Sequence, residues 1–149
     1  MTPNEIKKAW NTFKKEIAKE IDIDLTGCCY MNQKQIANGT ATITLGLDWS
    51  FESEIDYYTR EINRVSSWDG DNKERGERIA NEYREKIADL EARKAAHGTR
   101  ENETRGKAEK ITGTAAFKKL ASTIGILNTC LALGKYSASI NTYQLRISY

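Results

Sequence analysis

The sequence predicts an α+β fold, a small antiparallel sheet packed with about four helices. Two stretches alternate strictly: Ala41, Ile43, Leu45, Leu47 and Trp49 against Thr40, Thr42, Thr44, Gly46 and Asp48, and Tyr143, Leu145, Ile147 and Tyr149 against Gln144, Arg146 and Ser148. Alternation with period two is the mark of a strand with one buried face, which places strands near 40–49 and 142–149. Between and before them the apolar residues recur at three and four, the period of an amphipathic helix.

The first helix is announced by Thr2-Pro3-Asn4-Glu5. Threonine caps, proline occupies the first helical position, and glutamate three residues after the threonine completes a capping box. Ile6, Trp10, Phe13, Ile17 and Ile21 form its stripe, with Lys7, Lys8, Lys14, Lys15 and Lys19 mainly off it. A third strand at 28–36 is drawn in by the Asn38-Gly39 turn signal, although that register sets Asn32 and Lys34 on the apolar face.

Ser50 caps a helix whose seam is Phe51, Ile55, Tyr58, Ile62 and Val65. Trp68-Asp69-Gly70-Asp71 breaks it, and Asp71 with Glu74 has capping-box spacing for the next helix. There Ile79, Tyr83, Ile87 and Leu90 form one narrow stripe on an otherwise charged surface, suited to coiled-coil-like pairing. Phe117, Leu120, Ile124, Leu127 and Leu131, with Ile126, Cys130 and Leu133 on the opposite side, predict a central apolar helix over 114–133. Its second stripe is covered either by the sheet or by a second copy, and a homodimer is expected. The organisation expected is a single domain, 1–149, with a charged helical hairpin-like arm around 71–112.

Size and composition fit that organisation. The chain has 149 residues, 39% hydrophobic and 30% charged, enough for one core and a highly charged exterior. The uncharged run from Leu120 to Gly134 is shorter than the roughly 20 residues a bilayer requires, so no membrane partner is expected. No apolar leader opens the sequence, and the three cysteines suggest no disulfide framework; a cytoplasmic location is the expectation. The net charge of +2 hides a gradient, +1 over residues 1–47, −4 over 48–97 and +5 over 98–149.

Asp22-Ile23-Asp24-Leu25-Thr26 is the one segment with the form of a catalytic motif. Asp-x-Asp-x-Thr resembles the nucleophile loop of haloacid-dehalogenase-type phosphatases. In that family the first aspartate attacks phosphorus and the second is the general acid, with Mg²⁺ offsetting charge. The resemblance covers five residues, and here a helix leads into the loop where the family has a buried parallel strand. The same residues begin like an EF-hand loop, but its twelfth position is Gln33 rather than a bidentate glutamate. A helix-terminating loop is therefore the preferred reading. A pairing of Cys28 or Cys29 with His97, the only histidine, is the remaining nucleophilic arrangement. A zinc set is not expected from one histidine and no Cys-x-x-Cys, and neither catalytic residues nor cofactors are assigned.

The better signal is a row opposite the Phe51 seam: Tyr57, Arg60 and Arg64, extended by Trp68. These residue types dominate protein-binding surfaces because they join large contact area to directional polar tips. Contact with a partner competes here with cover by another element of the same domain, and with simple pairing of Arg60 and Arg64 with Asp56 and Glu61. The first functional expectation is a non-catalytic protein-binding module, a small inhibitor or regulator; small domains of this kind include many phage and mobile-element inhibitors, such as anti-CRISPR proteins. The alternatives are a nucleotide or nucleic-acid binder using those arginines and aromatics, with Arg100, Arg105, Lys107 and Lys110 following a backbone, and a small hydrolase using Asp22 and Asp24 or a cysteine.

Overall fold

The structure, a computed structural model, describes the chain except residues 24, 26–28 and 31–32, and gives the backbone alone for residues 29, 30 and 33. It is α+β: six α-helices, α1 (Pro3–Glu20), α2 (Gln33–Asn38), α3 (Phe51–Ser66), α4 (Lys73–His97), α5 (Arg100–Thr112) and α6 (Ala115–Ile124), and four strands among the described residues, β1 (Cys29–Tyr30), β2 (Thr40–Leu47), β3 (Asn128–Lys135) and β4 (Asn141–Ser148). The strands form one antiparallel sheet in the order β1-β2-β4-β3, with two residues of β1 among those described. Contacts divide the chain into two compact units, residues 1–48 with 104–149, and residues 49–103.

In the first unit, helices cover one face of the sheet. Ile6, Trp10, Phe13 and Ile17 of α1 meet Ala41, Ile43 and Leu45 of β2, Leu145 and Ile147 of β4, and Phe117 and Leu120 of α6 in one core. Phe13 sits edge-on to both Trp10 and Phe117, at centroid distances of 5.6 and 6.0 Å. Each fully buried side chain of this size contributes on the order of 2 kcal/mol relative to exposure. The capping box at Thr2 and Glu5 forms: the Glu5 N–H donates to Thr2 Oγ1, and the Thr2 N–H donates to the Glu5 carboxylate.

β2 shows the predicted alternation as far as Leu45. Its pairing with β4 then shifts between Thr44 and Gly46, an irregularity that turns the following residues out of phase. Trp49 consequently does not continue the buried row; it belongs to the second unit. The last residue is tied down, because the Tyr149 N–H donates to the Gly39 carbonyl at 2.8 Å.

Three sequence expectations are corrected. The predicted helix 114–133 is two elements. Thr114 caps α6, accepting from the Phe117 N–H at 3.1 Å, but the helix closes at Gly125 in the left-handed conformation, φ 75°. The N–H groups of Gly125 and Ile126 both donate to the Ala121 carbonyl, a glycine-terminated helix end. From Asn128 the chain is extended and pairs with β4, with Leu131 opposite Leu145 and Leu133 opposite Tyr143. Leu127 and Leu131 satisfy a three-and-four spacing by coincidence, and Leu127 is 84% exposed.

The third strand likewise does not run through 28–36: among the described residues Cys29 and Tyr30 pair with Ile43 and Thr42, and the chain is helical from Gln33. Residues 33–38 turn into α2, which buries Ile36 and leaves Lys34 exposed, avoiding the conflict that an extended register creates. Gly39, at φ 68°, ends that helix where a hairpin turn was expected. Finally, the Asp71–Glu74 capping box does not form. A 3-10 turn at 70–72 leads into α4, whose first flanking residue, Asn72, makes no side-chain cap.

The start of α6 is held from a distance. Glu20, at the end of α1, accepts from the N–H groups of Ala115 (2.9 Å) and Ala116 (2.6 Å). With Thr114 taking the Phe117 N–H, the first three backbone donors of α6 are satisfied by side chains. A carboxylate there also opposes the positive end of the helix dipole. Glu20→Ala is expected to lower stability by about 1–2 kcal/mol, read as a lower urea midpoint with an unchanged slope.

Candidate functional site

The predicted row lies in the second unit, which is built on an antiparallel pair of helices. α3 starts at Ser50, whose hydroxyl accepts from the Ser53 N–H at 3.1 Å. Its Phe51 and Val65 are buried, as are Gly76, Ala80 and Leu90 of α4. At one end the helices touch closely: a methyl group on Gly76 would collide with the Val65 carbonyl, so only glycine allows the approach.

At the other end Phe51 lies against two guanidinium groups, those of Arg100 (4.6 Å) and Arg93 (5.5 Å). Arg93 makes a fork to Glu103, Nε to Oε2 at 2.7 Å and Nη2 to Oε1 at 2.6 Å, and also reaches Asp89 at 3.3 Å. Arg100 donates to Glu54 at 2.5 Å. This charged cluster fixes the beginning of α3 and the end of α4.

Along α3 runs a chain of four aromatic rings. Trp49 meets Tyr57 at 5.6 Å, Tyr57 meets Tyr58 at 5.3 Å, and Tyr58 meets Tyr83 of α4 at 5.1 Å. The Lys86 ammonium lies 5.3 Å from the Tyr58 ring and 5.8 Å from Tyr83. Tyr57, in the middle of the chain, is 38% exposed. Arg60 and Arg64 are exposed on the same side of the helix but are engaged locally. Arg60 pairs with Asp56 at 3.4 Å, both largely in solvent, an arrangement of little energetic weight. Arg64 donates from Nε (3.0 Å) and Nη2 (2.7 Å) to Glu61, which holds the guanidinium still further above its ordinary pKa.

Trp68 lies just beyond the end of α3, half-buried over Gly76, with the guanidinium groups of Arg64 and Arg75 at 5.4 and 5.8 Å from its ring. The four expected site residues therefore occupy one unit but not one cluster. Tyr57 belongs to the aromatic chain, Arg64 and Trp68 stack on one another, and Arg60 pairs with Asp56. Trp49, Tyr58, Tyr83 and Lys86 were not singled out from the sequence. Tyr58 and Tyr83 were read there as seam residues and Trp49 as a strand residue; only pairing of the two helices reveals that they touch.

The other candidate chemistries are placed as follows. Asp22 is exposed in the bend after α1, beside an open cleft it shares with Glu20, Glu109 and Lys110, whereas Asp24 and Cys28 lie outside the described residues. Cys130 is exposed on β3, and His97 is the exposed last residue of α4. Of the basic residues at the start of the last third, Lys107 donates to the Leu45 carbonyl at 3.1 Å and Arg100 is paired with Glu54. Among the described residues no group of three or more His, Cys, Asp and Glu side chains is placed to hold a metal ion, and no helix is long and apolar enough to cross a membrane.

The Glu103 carboxyl is held below its ordinary value of 4.5, chiefly by its hydrogen bonds from Arg93. A group depressed by folding contributes in full above its unfolded pKa and loses the contribution as pH falls through its folded value. Between about pH 5 and pH 3 the wild-type chain is thus expected to lose more stability than Glu103→Gln, measured by urea midpoints across that range. Comparison with protein-family models, with curated proteins and with solved structures finds no match to this chain.

Proposed function

We propose that this chain is a non-catalytic protein-binding module, a small inhibitor or regulator, whose contact surface is the Tyr57 side of α3. The observation that supports the reading is the chain of rings with Tyr57 at its centre, more than a third exposed. Its neighbours hold that ring in place, so little conformational entropy remains to be lost when a partner covers it. Arg60 and Arg64 flank it as polar rim residues, and Trp68 adds apolar area at the end of the row. The two hydrogen bonds that Arg64 donates to Glu61 make it a poorer phosphate ligand, which favours a protein over a nucleotide at this surface.

A homodimer is favoured by a different feature, the free edge of β3. It runs from Asn128 to Lys135 without an acidic residue or a proline, and Leu133 is 48% exposed. Arg146 covers only part of that edge, donating to the Leu133 carbonyl at 2.9 Å. Light scattering that returned the monomer mass of 16.9 kDa at all concentrations would remove this second reading.

The double variant Tyr57→Ala/Arg64→Ala is expected to melt as a folded protein within a few degrees of wild type, because neither side chain is buried. Binding should fall by roughly tenfold or more, since an aromatic anchor at the centre of a contact carries much of its affinity. Pull-down of the partner at wild-type level by a normally folded double variant would overturn the assignment.

A further inference from the structure

We infer that the outer face of α1 is a docking surface for the phosphate backbone of duplex nucleic acid, independent of the α3 surface. Residues 1–48 with 104–149 carry 13 Lys and Arg against 7 Asp and Glu, a net charge of +6, while residues 49–103 carry 10 against 14, a net −4. The small overall charge of the chain is the difference between two units of opposite sign.

On α1 the segregation is finer. At ~100° per residue, Lys7, Lys8, Lys14, Lys15 and Lys19 fall within an arc of about 140° on the side away from Trp10 and Ile17, shared only with Asn4, Asn11 and Ala18. The glutamates of the helix lie outside that arc, and each is engaged within the fold. Glu5 closes the capping box, Glu16 pairs with Lys119 at 3.3 Å, and Glu20 caps α6. None of the five lysines has an ion-pair or hydrogen-bond partner among the described residues. The helix thus uses its acids internally and presents uncompensated ammonium groups outward.

The chemistry of the face selects the occupant. It has no aromatic or aliphatic anchor larger than alanine, so it lacks both the buried centre of a protein–protein contact and the apolar side of a membrane-surface helix. Lysines act on phosphate as point charges and read no base edges, which suits contact with a regular polyanion irrespective of sequence. Lys7 to Lys19 spans roughly 18 Å of helix axis. A duplex carries about one charge per 1.7 Å, so several phosphates lie within reach along that length.

The test is fluorescence anisotropy of a labelled duplex DNA of arbitrary sequence, about 20 base pairs long, titrated with the full chain at about 50 to 200 mM salt. Binding is expected, insensitive to scrambling the sequence, with log K falling linearly against log salt at a slope of about −4.5. Lys8→Gln/Lys15→Gln/Lys19→Gln should flatten that slope by about three, and Lys7→Gln/Lys14→Gln by about two, with melting unchanged. Tyr57→Ala/Arg64→Ala should bind the duplex as wild type does, which separates this surface from the one proposed on α3. Duplex RNA of the same sequence is a second arm and is expected to bind with similar salt dependence. Absence of binding at the lowest salt, an unchanged slope in folded lysine variants, or binding to phosphatidylserine vesicles but not to either duplex would overturn the proposal.

Discussion

The larger unit depends on the burial of one side of α1. Ile6, Trp10, Phe13 and Ile17 recur at four, three and four residues, and all four are removed from solvent against the sheet and α6. Because that side is fixed, every other position on the helix is fixed as well. Glu16 and Glu20 fall on the flank, where they reach α6 and its N-terminus, and the lysines fall on the remaining arc. The hydrophobic requirement thereby dictates the electrostatic surface, and a charged face arises as the geometrical complement of a packed one.

The smaller unit is organised differently. Its helix pair buries few large side chains, among them Phe51, Val65 and Leu90, and relies on charged forks and ring contacts around them. Arg93 and Arg100 cover Phe51 while satisfying Glu103 and Glu54, so one residue type supplies packing area and compensating charge together. An aromatic chain suits this setting, because the positive edge of one ring meets the negative face of the next and adds contact area without a deep core. The result is a part-exposed tyrosine on a helix, in ring contact with Trp49 and Tyr58.

Much of this was legible in the sequence. The Thr2–Glu5 box, the Ser50 cap and the alternation of β2 and β4 are local patterns whose cause and effect lie within a few residues. The misreadings came where a local pattern fitted two structures. Leu127 and Leu131 suit a helix or a strand, and the decision fell to Gly125, whose left-handed conformation terminates α6. At 33–38 the Asn-Gly signal was correct about a change of direction but not about what preceded it. The aromatic chain was only half visible, because Tyr57 was read from its own helix whereas Tyr58 and Tyr83 meet across two. Long-range partners such as Glu20 with Ala115 and Ala116 leave no mark on either local stretch.

The central claim is that Tyr57 and its neighbours form the surface this chain uses to hold another protein. Photo-crosslinking from a reactive phenylalanine analogue at position 57, compared with the same group at the exposed Arg84 of α4, tests it most directly. The account predicts one dominant protein adduct from position 57, suppressed by excess unlabelled wild-type chain, and none from position 84. Equal adducts from both positions, or none from position 57 under conditions where the chain is folded, would contradict it.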